Sequence, residues 1–430
     1  MTVTDSSPTT QGVAQRLAEA LRPFVGGDLP VRLRAWDASE AGPEHAPLVE
    51  LRTPDALRRM LRHPGELGAA QAYVTGELEV HGDLGETLTH AFAVAGERVL
   101  SGRPTPTALL GAIRAAADLG VLGRPPAPPA TQARLRGRLH SPLRDRRAIS
   151  HHYDLSNEFY ALLLDPAMAY SSGYWTSAAS DSYGVAEAQR DKLDLVCRKL
   201  GLEAGMRVLD VGCGWGSLSL HAAEHFGARV TGVTIAAEQK RFLDARIAER
   251  GLQDRVEVRL QDYREVPERD HFDAVGSLEM GEHVGESNYP AYVEVLRRSV
   301  RPGGRVLVQQ MSRARGRWPG GGPFIESFIA PDMHMRPVGE TVGLLERGGL
   351  EVRDVHALRE HYVWTVRAWL DTFEANLPAV IDLVGVEASR VWRLYLTGGM
   401  LTFRDGRMGV DQMLCVRPGA DHGLPPVRSW

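Results

Sequence analysis

Cysteine is scarce in this 430-residue chain, hydrophobic runs of membrane-spanning length are absent, and charge of neither sign prevails. The three cysteines, Cys197, Cys213 and Cys415, match no metal-ligand spacing and no disulfide framework, so a reducing compartment is the expectation. No uninterrupted apolar stretch is long enough to cross a bilayer, which restricts membrane contact to the periphery. Lys plus Arg number 50 against 54 for Asp plus Glu, a net charge of −4, which excludes the broad basic footprint of a nucleic-acid binder. Residues 1 to 11 are polar and rich in Ser and Thr, and lack the charged and apolar regions of a secretory signal. These absences predict a cytoplasmic chain, peripheral on the inner face of the membrane if it meets one.

Glycine and proline, by contrast, are placed where they punctuate the chain. The length predicts two or three domains. Residues 12 to about 120 alternate strand-like pieces, Val31–Ala35 and Leu48–Leu51, with helical ones such as Thr53–His63, which predicts a small α+β domain over 1–123. The run Arg124-Pro-Pro-Ala-Pro-Pro-Ala130 stops regular structure because proline fixes φ and removes a backbone donor. With the arginines that follow (134, 136, 138, 144, 146 and 147) it defines a linker over 124–147. That arginine cluster reads either as a solvated segment or as a contact for an anionic surface. A second domain then occupies 148–430, entered through a long helical pattern from about Ser182 to Leu200.

In that domain Val208-Leu-Asp-Val-Gly-Cys-Gly-Trp-Gly-Ser217 reads as a buried strand running into a glycine turn that opens a helix. Gly212, Gly214 and Gly216 remove Cβ atoms where a backbone must turn sharply and lie against a ligand. Further strands are predicted at Arg229–Thr234, Val256–Leu260, Phe272–Ser277 and Arg305–Gln309, with helices between them, including Tyr289–Val300. Such alternation specifies an α/β fold, a doubly wound, mostly parallel sheet covered on both faces, with ligands at the carboxyl edge of the strands. The turn lacks the G-x-x-G spacing that docks a pyrophosphate, which favours S-adenosylmethionine over a dinucleotide. Residues Arg313 to Gly322, rich in Gly, Arg and Pro, read as a loop or lid.

Glu279, Glu282 and His283 follow the fourth strand of this domain, at the same sheet edge as the glycine turn. Their spacing offers at most a partial metal shell, so no metal is expected. Aromatics crowd the last third, as Tyr362, Trp364, Trp369, Phe373, Trp392, Tyr395 and Phe403. Singly these read as core, and as a group they could line an apolar tunnel for a long chain. His151 and His152 read as structural histidines or as a general base.

Taken in order, His152-Tyr-Asp-Leu155, Tyr170-Ser171 with Tyr174-Trp175, Val208–Gly216, Gly232-Val-Thr-Ile235 with Glu238-Gln239, Gln261-Asp-Tyr-Arg264 and Glu282-His-Val-Gly285 resemble the cyclopropane-fatty-acyl-phospholipid synthases and mycolic acid methyltransferases. Weaker similarity runs on to about Arg417. Ala72-Tyr-Val-Thr-Gly-Glu77 is similar to the amino-terminal domain of the bacterial members, which is implicated in membrane or lipid contact. The resemblance implies a class I S-adenosylmethionine methyltransferase acting on a cis double bond of a phospholipid acyl chain. It assigns cofactor contacts to Tyr170, Ser171, Asp210, Gly212, Gly214, Gly216, Thr234, Gln239, Gln261 and Asp262, and the catalytic pocket to Ser172, Glu279, Glu282, His283, Gln309 and Tyr362.

In the cyclopropane-forming members the base is a bicarbonate ion held by polar side chains. Glu282 and Tyr362 match two of the residues that hold it. Ser172 stands where a cysteine is typical, Gln309 where a histidine is, and Met311 where isoleucine is common. Glu279 replaces a small residue and Gly281 a bulky aromatic, so a carboxylate and a space appear together. Either Glu279 turns to solvent or its carboxylate takes over as base or cation stabiliser. In the second case the resemblance, nearest to the actinobacterial branch making methyl-branched chains, implies a methylene-branched product of 10-methylene stearoyl type from an oleoyl-type chain, saturated by a separate reductase. Ordinary cyclopropane synthesis and a catalytically degenerate lipid-binding protein are the alternatives. The implied partners are a bilayer surface and unsaturated acyl chains, with no nucleic acid, and a homo-oligomer is compatible with the sequence.

Overall fold

The computed structural model describes residues 11–97, 105–124, 126–133, 144, 156–428 and 430. They divide into two compact units, the first within 1–132 together with 386–398, the second within 133–385 together with 399–430.

In the first unit four short strands, β1 (Arg32–Arg34), β2 (Glu40–Ala41), β3 (Leu48–Leu51) and β4 (Leu78–His81), form a sheet in the order β2-β1-β3-β4. The predicted helix appears as Pro54–Arg62, started by a proline whose missing N–H costs nothing in the first turn. Its Ala56 joins Leu17, Leu29, Leu33, Leu51 and Ala72 in a small core. The proline run does not lie free as a linker. Arg59, itself paired with Glu77 at 2.7 Å, donates to Ala127 O at 2.8 Å, and Gln132 accepts from Gln71. Prolines donate nothing, but their neighbours' carbonyls accept, and this moves the boundary of the unit from 123 to 132.

The second unit contains a seven-stranded sheet. Its strands are β5 (Arg207–Val211), β6 (Arg229–Thr234), β7 (Val256–Leu260), β8 (Phe272–Leu278), β9 (Val300–Ser312), β10 (Glu351–Ala357) and β11 (Gly409–Val416), in the order β10-β11-β9-β8-β5-β6-β7. Strands β5 to β9 are mutually parallel, and β10 and β11 add an antiparallel edge. Alternate residues feed two cores. Val208, Val230, Ala274 and Leu307 pack with one set of side chains, and Leu209, Val233, Val275, Val306 and Val308 with the other. The chain passes from β5 outward to β7, then returns beside β5 as β8, so the order reverses between β5 and β8. A crevice for ligands opens at such a switch point.

Helix Val185–Leu200 covers this sheet; the Glu187 carboxylate accepts from Gly184 N at 2.9 Å at its start, and Gly201 ends it at φ +65°. Helix Leu377–Arg404 breaks at Gly385, where φ is +80° and ψ 164°. Among the described residues no helix is long and apolar enough to cross a membrane.

Candidate active site

The glycine turn divides its three glycines between two tasks. All have positive φ, +79° at Gly212, +55° at Gly214 and +87° at Gly216. A Cβ on Gly212 would stand 2.8 Å from Met280 Cγ, and one on Gly216 would stand 2.3 Å from Leu243 Cδ1, whereas one on Gly214 would meet nothing within 4 Å. Gly212 and Gly216 are therefore glycines that packing also requires. Gly214 alone leaves open space at the edge of the sheet.

Around that turn Ser171, Asp210, Thr234, Gln239 and Asp262 are buried, and Tyr170 and Gln261 are half-buried. Asp210 accepts from Ser219 Oγ at 2.7 Å, and burial pushes its carboxyl up to about 6. The Thr234 hydroxyl donates to Gln239 Oε1 at 3.0 Å. The Asp262 carboxylate accepts from Arg264 through Nε at 2.8 Å and Nη2 at 2.6 Å, and Gln261 Nε2 donates to Glu265 O at 2.8 Å. The Tyr170 ring meets Tyr160 edge-on at 5.8 Å and lies 5.4 Å from Trp369, while Tyr160 reaches Trp215 of the glycine turn at 4.5 Å. A glycine left open, a carboxylate beside it and an aromatic wall fit an adenosine-bearing cofactor with a cationic centre.

The second half of the site is built on a strained residue. Glu279 follows β8 with φ +51°, a left-handed conformation that a non-glycine residue adopts at a cost of about 1–2 kcal/mol. Its N–H donates to Gln309 O at 2.6 Å, which fixes the turn against β9. The carboxylate then receives three donors: Ser172 N at 2.8 Å and Gln309 Nε2 at 2.9 Å on Oε1, and the Tyr362 hydroxyl at 2.7 Å on Oε2. Gln309 is oriented in turn by Gln412 Nε2, which donates to its Oε1 at 2.9 Å. Ser172 contributes its backbone only, because its hydroxyl donates to Gly173 O. Glu279 is thus drawn into the pocket, and the reading in which it turns to solvent is overturned.

Glu282 lies on the one-turn helix Gly281–His283 with no solvent exposure, and among the described residues no side chain donates a hydrogen bond to its carboxylate. Burial and the nearby Glu279 charge both push its pKa well above the usual range. Burial also raises Glu279, but its three donors and Lys192 oppose the shift. Of the two, Glu279 has the neighbours that favour the ionised form, and Glu282 is pushed further towards the neutral acid. His283 is half-buried on the same turn. The space expected at Gly281 is filled, since a Cβ there would stand 2.0 Å from Gln310 Oε1, which accepts from the Tyr289 hydroxyl at 2.6 Å.

Other expectations change with the fold. Tyr362, Trp369, Phe373 and Phe403 are buried in the second unit, and the Tyr362 and Phe403 rings lie 4.5 Å apart. Trp392 and Tyr395 belong to the first unit, and Trp364 is 46% exposed. Of the six arginines that follow the proline run only Arg144 lies within the described residues, and it pairs with Asp332 at 2.5 and 2.9 Å. His151 and His152, with the motif that His152 begins, lie outside them.

Lys192 was missed. It is fully buried, and its Nζ donates to Ser171 Oγ at 2.8 Å, facing the charges of Glu279, Asp165 and Asp210. The available signal was its place on the apolar stripe Ala188, Lys192, Val196, where a lysine must be paired.

Residues 140–413 match the family model described as mycolic acid cyclopropane synthetase. The chain belongs to this family. It is 36% identical over 432 residues to a probable fatty acid methyltransferase of Mycobacterium tuberculosis, covering 96% of this chain and 98% of the relative. It is 34% identical over 277 residues to the cyclopropane-fatty-acyl-phospholipid synthase of Escherichia coli, covering 64% of this chain and 69% of that one. Among solved structures, the mycolic acid cyclopropane synthase CmaA1 complexed with SAH and CTAB superposes with a TM-score of 0.59 at 29% identity, over 63% of this chain and 98% of that one. This member of the mycolic acid cyclopropane synthetase family is an S-adenosylmethionine-dependent enzyme that methylates or cyclopropanates lipid acyl chains.

Proposed function

We propose that the enzyme methylates the cis double bond of an oleoyl-type chain in a phospholipid and releases a methylene-branched chain, with Glu279 in place of bicarbonate as the base. The observation that carries this reading is the Glu279 carboxylate, held by Ser172 N, Gln309 and Tyr362. These are positions at which the family resemblance implies a bicarbonate-holding pocket. A carboxylate built into the chain fills the donor set that would otherwise hold a small anion. A tuberculostearic acid methyltransferase of M. tuberculosis, 32% identical over 408 residues and covering 91% of this chain and 88% of its own, adds support.

S-adenosylmethionine supplies the electrophilic methyl group when bound. The protein's part is to orient the alkene, exclude water and hold one negative charge where the chain becomes cationic. Ionised Glu279 supplies that charge, and neutral Glu282 adds none. An ionised carboxylate offers about four acceptor sites. Two on Oε1 and one on Oε2 are filled, which leaves one on Oε2 to take a proton. After a hydride moves from the methylated carbon to the cationic one, a methyl C–H bond supplies the electrons of the new exocyclic double bond. Its proton passes to Glu279. Saturation of that alkene is a separate reductive step.

A bilayer is the natural source of the substrate. Helix Pro106–Asp118 of the first unit buries none of its side chains and exposes Leu109, Leu110 and Ile113, which supports lipid contact there. The test is to incubate the enzyme with S-adenosylmethionine and dioleoyl phospholipid in bicarbonate-depleted buffer and weigh the fatty acids before and after hydrogenation. A product that gains one CH₂ and takes up hydrogen is expected. Glu279→Gln is expected to lower turnover about 10²-fold or more with cofactor affinity retained. A hydrogen-resistant cyclopropane product, or a rate that requires bicarbonate, would overturn the reading.

A further inference from the structure

The segment after β9, residues 313–322, has no regular structure and carries Arg313, Arg315, Arg317 and Trp318 without a single acid. Trp318 is 75% exposed, where large apolar side chains of this chain are mostly buried. Arg315 and Arg317 are also exposed, and among the described residues their guanidinium groups make no ion pair or hydrogen bond. Most other arginines here are paired, as Arg144 is with Asp332, Arg59 with Glu77 and Arg264 with Asp262. Glu326, the next acid along the chain, is occupied, its oxygens accepting from Gly321 N at 3.1 Å and Asp332 N at 2.8 Å.

The segment is nonetheless tied at its base. Arg313 Nη1 donates to Trp318 O at 3.0 Å and Gly320 O at 2.7 Å, and Met335 N donates to Pro319 O at 2.9 Å. One residue earlier than Met335 on the same return path, the chain also borders the site, since His334 N donates to Glu282 O at 2.8 Å. Unpaired cations flanking an outward indole, on a fixed base, match the headgroup layer of a bilayer. Arginine bonds phosphate in a bidentate fork, and tryptophan, apolar with one polar N–H, settles at the interface.

We propose that residues 313–322 dock the catalytic unit on an anionic phospholipid surface, with Arg315 and Arg317 on lipid phosphates and Trp318 in the interface. This rests on the reading that the substrate is a membrane phospholipid. It also adds a purpose to the position of the segment. Four residues of extended strand, about 13 Å, separate Gln309 from Arg313, of the same order as the depth of one hydrocarbon leaflet, about 15 Å. A lipid held by its headgroup at the segment has an acyl chain long enough to reach Glu279.

The test uses the full chain and vesicles of phosphatidylcholine with and without phosphatidylglycerol, with binding measured by co-sedimentation in the absence of turnover. Arg315→Ala with Arg317→Ala is expected to weaken binding to the anionic vesicles about 30-fold and to flatten its salt dependence. Trp318→Phe is expected to remove a component of tryptophan emission that shifts to the blue on vesicle binding in the parent chain. Activity on anionic vesicles should fall with binding in the arginine variant, while cofactor affinity and activity on micelle-dispersed lipid stay at the parental level. Unchanged vesicle binding in the arginine variant, or equal binding of the parent to both kinds of vesicle, would overturn the proposal. Because binding is read without turnover, an enzyme that binds as expected yet methylates no phospholipid would overturn the functional reading alone.

Discussion

Lys192 faces three carboxylates from a site without solvent, and its protonation is coupled to theirs. Burial lowers its pKa to about 8, with Glu279, Asp165 and Asp210 acting in the opposite direction. The same positive charge opposes the rise in the Glu279 pKa that burial causes. Lys192→Met removes that charge, so Glu279 should take up its proton at a higher pH. The acid limb of the kcat profile should therefore move upward in this variant, with the rate near neutral pH reduced. A pH–rate series on the purified variant checks the sign, and a limb that stays put would show that Lys192 only fills space. At this scale the sequence was partly legible. Glu279 stood out because a carboxylate had replaced a small residue. Ser172 did not reveal that its backbone rather than its hydroxyl would serve, because a side-chain list says nothing of main-chain donors.

Single elements show where the glycine turn carries ligand and where it carries fold. Gly214→Ala places a methyl in open space, so its fold penalty is the left-handed backbone alone, about 1–2 kcal/mol. Gly216→Ala adds a collision with Leu243 to that strain, and overpacking of this kind costs about 1–3 kcal/mol more. Denaturant unfolding should rank Gly216→Ala as the less stable. Calorimetry should show Gly214→Ala losing more S-adenosylmethionine affinity than its stability loss predicts. Gly281→Ala belongs with Gly216→Ala, since its methyl meets a Gln310 amide already pinned to Tyr289 and Thr341. Strands β5 to β8 were readable because each is a short apolar run before a polar sheet edge. The edge pair was not. β10 alternates Glu351, Arg353 and Asp354 with valines and leaves Val355 exposed, and β11 buries Asp411 and Gln412, which pair with Ser312 and Gln309. A polar strand in a core disguises its own pattern.

At the scale of the whole molecule the proline run and the arginines after it read as a linker over 124–147, which would let the domain that follows stand alone. The composition of the first unit argues otherwise. Residues 386–398, far along the chain, belong to that unit. Arg390 donates to Tyr73 O at 2.6 Å and Leu78 O at 3.0 Å, pairs with Glu79 at 3.0 Å and lies 4.2 Å over the Tyr73 ring, while Val391, Trp392 and Leu396 are buried. No local sequence signal marks this return, since a helix stripe shows that it is buried but not against what. A fragment from residue 133 would bare those three apolar side chains and strip the Arg390 guanidinium of its partners. It is expected to aggregate and to melt below the full chain in a thermal shift assay. Trp392→Ser with Leu396→Ser should restore its solubility without returning its melting point to that of the full chain. If the unmodified fragment instead stays monodisperse in light scattering and melts with the full chain, residues 386–398 do not depend on the first unit for their burial.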